Sequence, residues 1–190
     1  GALVHVYTDG SIHLNHGGTE MGQGLYVKVA QVVADAFQVR LDEVKISATV
    51  TDKVPNTSPT AASSGADLNG MAALNAAEII LRRIKTHLAG RFGCAVEDLS
   101  YADGVFAGGG QRMDFRAAVK EAYLARVQLS AAGYYRTPDI HYDRARHKGH
   151  PFYYYAYGAA VSEVEIDTLT GENRTRRVDI LHDAGRSLNP

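Results

Sequence analysis

Residues 17–24, Gly-Gly-Thr-Glu-Met-Gly-Gln-Gly, put four glycines directly ahead of a helical pattern. Glycine lets a backbone turn sharply and come close to a ligand. The helix start that follows offers unpaired N–H groups and the positive end of a dipole, which favour an anion. Gln23, between Gly22 and Gly24, brings an amide donor and an acceptor. A second stretch, residues 51–66 (TDKVPNTSPTAASSGA), is rich in hydroxyls and also feeds a helix start. The octapeptide and the core TSPTAASS contain no Lys or Arg. Neither loop matches GxxxxGKS/T or GxGxxG, so a naked polyphosphate with magnesium is not the chemistry they suit. They suit a flat, polar, phosphate-bearing ligand held by neutral hydrogen bonds. Ordinary capping by Ser, Thr and Gly is the other reading of each loop.

Other reactive side chains have plainer explanations. His13 and His16 form an HxxH pair, but residues three apart on a strand point to opposite faces, so they do not chelate one ion. His141, His147 and His150 lie among Arg144, Arg146 and Lys148 in a basic stretch that reads as a solvated loop. Glu163 and Glu165 share one strand face with Val161 and Asp167 and read as an exposed face. Glu20 sits inside the glycine loop, where it can bond backbone amides in a structural role. The run Tyr153-Tyr154-Tyr155 favours a strand. Ser58 and Ser63 have no Ser–His–Asp arrangement around them in the sequence. Cys94, the single cysteine, reads as a small, partly buried residue beyond a helix end.

The elements that must position these residues alternate without regular repetition. Residues 3–7 and 11–16 read as strands joined by a turn at Asp9-Gly10. Apolar residues at Leu25, Val29, Val32, Val33, Ala36 and Phe37 predict an amphipathic helix from Leu25 to Phe37. Residues 44–50 read as a strand, and a long helix runs from Asp67 to Leu88, ended by Gly90 and Gly93. Residues 95–112 are turn-rich, with Gly108-Gly109-Gly110 as a flexible tip. A third helix covers 114–125 with Asp114 as its cap. Residues 127–135 are extended, 137–151 form a surface loop, and 152–168 pair with 174–183 as long strands. In the second of these, Val178 and Ile180 alternate with Arg177 and Asp179, which predicts one buried face. The expected class is α+β, with helices packed on a mixed, mostly antiparallel sheet.

Bulk numbers agree with an ordinary globular domain: 190 residues, 45% hydrophobic, 22% charged and a net charge of −1. That charge points to no nucleic-acid partner and the apolar runs to no membrane span. One cysteine precludes an internal disulfide framework or a Cys-rich iron–sulfur site on this chain and fits a reducing, cytoplasmic setting. The chain starts within a strand-like run and stops at Ser187-Leu188-Asn189-Pro190, so residues 1–190 are expected to be a segment of a longer polypeptide.

The stretches HGGTEMGQG, VPNTSPTAASSGADLNG and YGAAVSEVEIDTLTGE, in this order and spacing, resemble the molybdenum-cofactor-binding portion of xanthine dehydrogenases. These belong to the molybdenum hydroxylase family, which includes aldehyde oxidases. The resemblance runs from about residue 15 to the end. It implies that Gln23 hydrogen-bonds the pyranopterin beside its metal end, with Gly22 and Gly24 letting the backbone approach. It implies that Ala61 and Ala62 stand beside molybdenum and the substrate ring, Ala62 nearer the metal and without ligating it. Thr60, Ser63 and Ser64 would bond the pterin and its phosphate. The family's general base, a glutamate, corresponds to a position past Pro190, and the residues that sandwich the purine to positions before Gly1. No catalytic residue is therefore expected on this segment, which acts as a molybdopterin-binding (sub)domain. The implied parent hydroxylates hypoxanthine and xanthine to urate, carries 2Fe-2S clusters and FAD elsewhere, and passes electrons to NAD. An aldehyde oxidase or other heteroaromatic hydroxylase, or a non-catalytic scaffold, are the alternatives. The purified 190-residue segment is predicted not to turn over xanthine; measurable urate from it would refute that expectation.

Overall fold

The computed structural model describes residues 1–54 and 57–188; Pro55 and Asn56 of the second loop, with Asn189 and Pro190, lie outside the described residues. The chain divides into two compact units, with the first covering 1–136 and the second beginning at Thr137.

The first unit is built on a four-stranded sheet. Strands β1 (Ala2–Val6) and β2 (Ile12–His16) form an antiparallel hairpin. Helix α1 (Leu25–Phe37) follows the glycine loop, then a short 3-10 turn, then β3 (Val44–Ile46). β3 pairs with β2 in parallel, Ile12 opposite Val44 and Leu14 opposite Ile46. β2–α1–β3 is therefore a βαβ unit, which the expected irregular order of elements did not contain. Its consequence is positional: the loops that leave β2 and β3 start from the same edge of the sheet. Helix α2 (Gly65–Phe92) follows the second loop. It begins two residues before the expected Asp67, passes through Gly90, and ends at Gly93, whose left-handed φ of 69° closes it.

The core lies between the sheet and the two helices. Alternate strand residues Ala2, Val4, Val6, Ile12 and Leu14 are buried. Against them pack Leu25, Val29, Val33 and Phe37 of α1 and Ala72, Ala73, Ala76, Ile80, Ile84 and Leu88 of α2. The alanines let α2 pack close against the sheet. Strand β7 (Ser130–Gly133), antiparallel to β1, completes the sheet in the order β3-β2-β1-β7. A Cβ at Gly133 would lie 2.0 Å from the carbonyl oxygen of Ala72 and 2.5 Å from the amide nitrogen of Ala76.

Between α2 and β7 the structure differs from the sequence expectation. Residues 95–112 have the expected turns, but Gly109-Gly110 closes a hairpin between paired strands and is not a loose tip. They contain most of an antiparallel meander, β4 (Ser100–Ala102), β5 (Val105–Gly108) and β6 (Gln111–Asp114). Both of its turns have two residues at positive φ, Asp103-Gly104 at 51° and 70° and Gly109-Gly110 at 55° and 74°. Such pairs match the twist of a hairpin. Phe106 is fully buried, with Tyr101 stacked on it at 4.1 Å. Helix α3 (Phe115–Leu124) follows, capped as expected by Asp114, whose carboxylate accepts from the Ala117 amide at 2.9 Å. The class is α+β with a mixed, mostly antiparallel sheet, as the sequence predicts.

The second unit holds two hairpins. Strands β8 (His141–Asp143) and β9 (Lys148–His150) pair where a surface loop was expected. Strands β10 (Gly158–Ile166) and β11 (Asn173–His182) form the long hairpin. β10 starts at Gly158, so the aromatic run 152–157 lies outside it. Neither face of β11 is buried: Val178 is 50% and Ile180 72% exposed, which corrects the expected buried face.

Gly133→Ala is predicted to destabilise the first unit, because the new methyl meets helix backbone rather than a movable side chain. The expected loss is at the upper end of the roughly 1–3 kcal/mol typical of overpacking, measured as a lower urea midpoint with an unchanged m-value.

Candidate functional site

The site is assembled where β2 and β3 end. His16, the last residue of β2, is 2% exposed, and its Nδ1 accepts the Gly18 amide at 3.1 Å. Its ring meets Tyr26 edge-on at 5.2 Å. Burial lowers its pKa from 6.5 to about 4, against a smaller opposing effect of Asn69, so it is neutral at pH 7. Gly17 leaves room for the second loop: a Cβ there would fall 1.7 Å from the hydroxyl of Thr57.

Glu20 organises the octapeptide. Its Oε1 accepts the amides of Gly22 at 2.9 Å and Gly24 at 3.0 Å, and its Oε2 accepts that of Tyr26 at 3.0 Å. These bonds, led by the one from Tyr26, hold its carboxyl below the usual carboxylate range. The structural role expected of Glu20 is thus what it plays. It also changes the reading of the α1 start. The anion that this helix terminus favours is already there, and it belongs to the chain itself.

Gln23 is turned partly into its own loop. Its Oε1 accepts the Met21 amide at 2.6 Å and its Nε2 donates to the Thr19 carbonyl at 2.9 Å. An amide side chain has two N–H donors and two lone pairs. Gln23 keeps one of each for another partner, and the side chain is solvent-exposed.

A hydrogen bond ties the second loop to the first. Thr60 Oγ1 accepts the Thr19 amide at 2.8 Å, across 41 positions in sequence. Beyond it Ala61, Ala62 and Ser63 are exposed, while Thr60 and Ser64 are half-buried. Ala62 has a φ of 56°, the left-handed region that costs a residue with a Cβ about 1–2 kcal/mol. Strain of this kind gathers at ligand sites. Ser64 is the N-cap of α2 but makes no side-chain cap bond, unlike the filled start of α1.

A third segment, not singled out in the sequence, latches the glycine loop from behind. β3 stops at Ile46, and residues 47–50 leave the sheet rather than extending it. The Thr49 hydroxyl lies 3.2 Å from the His16 carbonyl, 2.9 Å from that of Gly18 and 3.2 Å from the Tyr26 hydroxyl. Ser47 donates to Asn15 and accepts from Lys53 Nζ at 3.1 Å, while Lys53 also donates to the Ala48 carbonyl. Lys53, the one cation of the second stretch, is thus engaged with residues 47 and 48. No group of three or more His, Cys, Asp or Glu able to hold a metal occurs among the described residues. The arrangement can offer neutral donors, small exposed side chains and a strained backbone.

Two loops set side by side at the ends of parallel strands, each opening a helix, make this an α+β cofactor-binding domain. The chain belongs to the molybdopterin cofactor-binding domain family, which matches residues 1–190. It is 49% identical over its full length to a xanthine dehydrogenase of Oryza sativa subsp. japonica and 47% identical to a xanthine dehydrogenase/oxidase of Gallus gallus. It spans 12% and 13% of the length of those relatives. Among solved structures it is similar to quinoline 2-oxidoreductase from Pseudomonas putida 86, with a TM-score of 0.76 at 27% identity, over all of this chain and 24% of that one. The fold is also that of a reconstituted CO dehydrogenase from Oligotropha carboxidovorans, with a TM-score of 0.80 at 24% identity, over 100% and 23% of the two chains.

The buried, neutral His16 makes a prediction about acid. A histidine whose folded pKa is depressed loses stability as pH falls from its unfolded value of 6.5 to about 4, because only the unfolded chain takes up the proton there. The loss over that window is about 3 kcal/mol. His16→Gln is expected to flatten the stability-versus-pH curve between those limits, measured by denaturant unfolding at stepped pH.

Proposed function

We propose that this chain is one wall of the molybdopterin site of a xanthine dehydrogenase that hydroxylates hypoxanthine and xanthine to urate. Gly22, Gln23 and Gly24 bind the pyranopterin near its metal end, and Thr60, Ser63 and Ser64 bind the pterin and its phosphate. Ala61 and Ala62 leave space for the substrate ring, with Ala62 beside molybdenum and not a ligand to it. The observation that carries this reading is the Thr19–Thr60 bond, which makes one surface of the two predicted loops. The donor set fits the group. Gln23 retains a free N–H and a free lone pair, the second loop presents hydroxyls beside the uncapped start of α2, and two alanines keep the intervening space open. When bound, molybdopterin supplies the metal centre at which oxygen is transferred to an electron-poor carbon. The residues of this chain hold and orient the group and shape the space beside it, while the general base comes from elsewhere in the parent. The parent is read as a cytoplasmic enzyme of purine breakdown that uses 2Fe-2S clusters, FAD and NAD through its other domains.

Two substitutions in the parent enzyme test the two loops separately. Gln23→Ala removes hydrogen bonds to a buried ligand and is expected to lower molybdenum per polypeptide by up to about tenfold with the fold intact. Ala62→Leu is expected to retain the metal yet lower kcat/KM for xanthine roughly a hundredfold, by displacing the ring from its reacting position. Ala62→Gly relieves the positive φ and controls for backbone strain. Wild-type metal content in the first variant, or a wild-type rate in the second, would place the cofactor elsewhere.

A further inference from the structure

Six hydrogen bonds tie residues 19–26 together and to Thr60, and they leave one N–H and one lone pair of Gln23 unspent. The Thr19 amide reaches Thr60, the Thr19 carbonyl holds the Gln23 amide, and the Met21 amide holds the Gln23 carbonyl oxygen. Glu20 adds three bonds, to Gly22 and Gly24 on either side of Gln23 and to Tyr26 in the first helical turn. A flexible segment with glycines at 22 and 24 has much backbone freedom to lose before Gln23 can stand in one place. The Glu20 carboxylate removes that freedom from both flanks of Gln23. It does so with charge-assisted bonds, which are stronger than neutral ones.

We infer that Glu20 is a positioning residue for Gln23: a built-in anion that fixes the loop before any ligand arrives. Glu20 does not touch the cofactor in this scheme. Its three bonds are spent on Gly22, Gly24 and Tyr26, and its effect on binding passes through the residue they bracket. The inference rests on the molybdopterin reading of Gln23 and adds to it the element that presets that side chain.

A double-mutant cycle in the parent enzyme separates a positioning role from a merely structural one. Molybdenum per polypeptide after gel filtration is measured for wild type, Glu20→Gln, Gln23→Ala and the double variant, with thermal midpoints alongside. Glu20→Gln keeps the side-chain volume but turns an N–H donor group towards amides that need an acceptor. It is expected to lower molybdenum content by about threefold to tenfold, the equivalent of one or two hydrogen bonds. In the Gln23→Ala background the same change is expected to cost nothing further, because there is no side chain left to position. Wild-type content in Glu20→Gln, or losses that multiply in the double variant, would overturn the positioning role. Wild-type content in Gln23→Ala would overturn the molybdopterin reading of that residue and the inference with it. Should Glu20→Gln not accumulate as folded protein, Glu20→Asp takes its place. It keeps the charge, is one methylene too short to span all three amides, and is expected to fall between wild type and Gln23→Ala.

Discussion

Because Ile12 pairs with Val44 and Leu14 with Ile46, β2 and β3 run in the same direction, and the chain leaves both at one edge of the sheet. Everything at the candidate site follows from that pairing. The glycine loop leaves β2 and must rise to α1; the Thr- and Ser-rich loop leaves β3 and must rise to α2. Antiparallel pairing would have sent them to opposite edges, some strand length apart. Crevices at the carboxyl ends of parallel strands are a general location for ligands in open sheets. Among the described residues of this sheet one strand pair is parallel and the others are antiparallel, and the parallel pair is the one that leads into the two loops.

The packing beneath keeps that edge in register. α2 lies so near β7 that a methyl group at Gly133 would overlap its backbone, and the alanines of α2 make that approach feasible. Close packing tolerates little displacement. α1 is fixed on the same side by Val29, Val33 and Phe37, so both helix starts are held by the core rather than by the loops. The loops need supply only their own internal order. Glu20 gives it to the first, and Thr49 with Tyr26 ties the first loop to the segment that follows β3.

Much of this was legible in the sequence, for identifiable reasons. α1 was readable to the residue because its apolar positions follow a helical period and a glycine precedes it. The role of Glu20 was readable because a carboxylate inside a glycine loop has amides within reach. The meander β4–β6 is hard to read in the sequence, although Asp103-Gly104 is a strong hairpin signal, because glycines from 104 to 110 suggest a turn-rich stretch and hide two tight turns spaced by one short strand. The parallel partner of β2 was hidden because β3 is three residues long and its pairing is non-local. Nor does any local pattern reveal that Ala62 sits at positive φ, since alanine is not a residue that announces that conformation. The exposed apolar residues of β11 show the opposite limit: alternation marks a face fit for burial but not what lies on it.

The carboxylate that fills the start of α1 has a consequence for how the loops hold anything. Ligand sites that depend on Lys, Arg or an open helix dipole weaken as salt rises, because mobile ions screen the attraction. In this cradle the Glu20 carboxylate is occupied by backbone amides, Lys53 is engaged with Ser47 and Ala48, and hydroxyl, amide and methyl groups are left for a ligand. A ligand of the proposed kind would be held there chiefly by shape and bond direction, with the open start of α2 as the salt-sensitive part of the cradle.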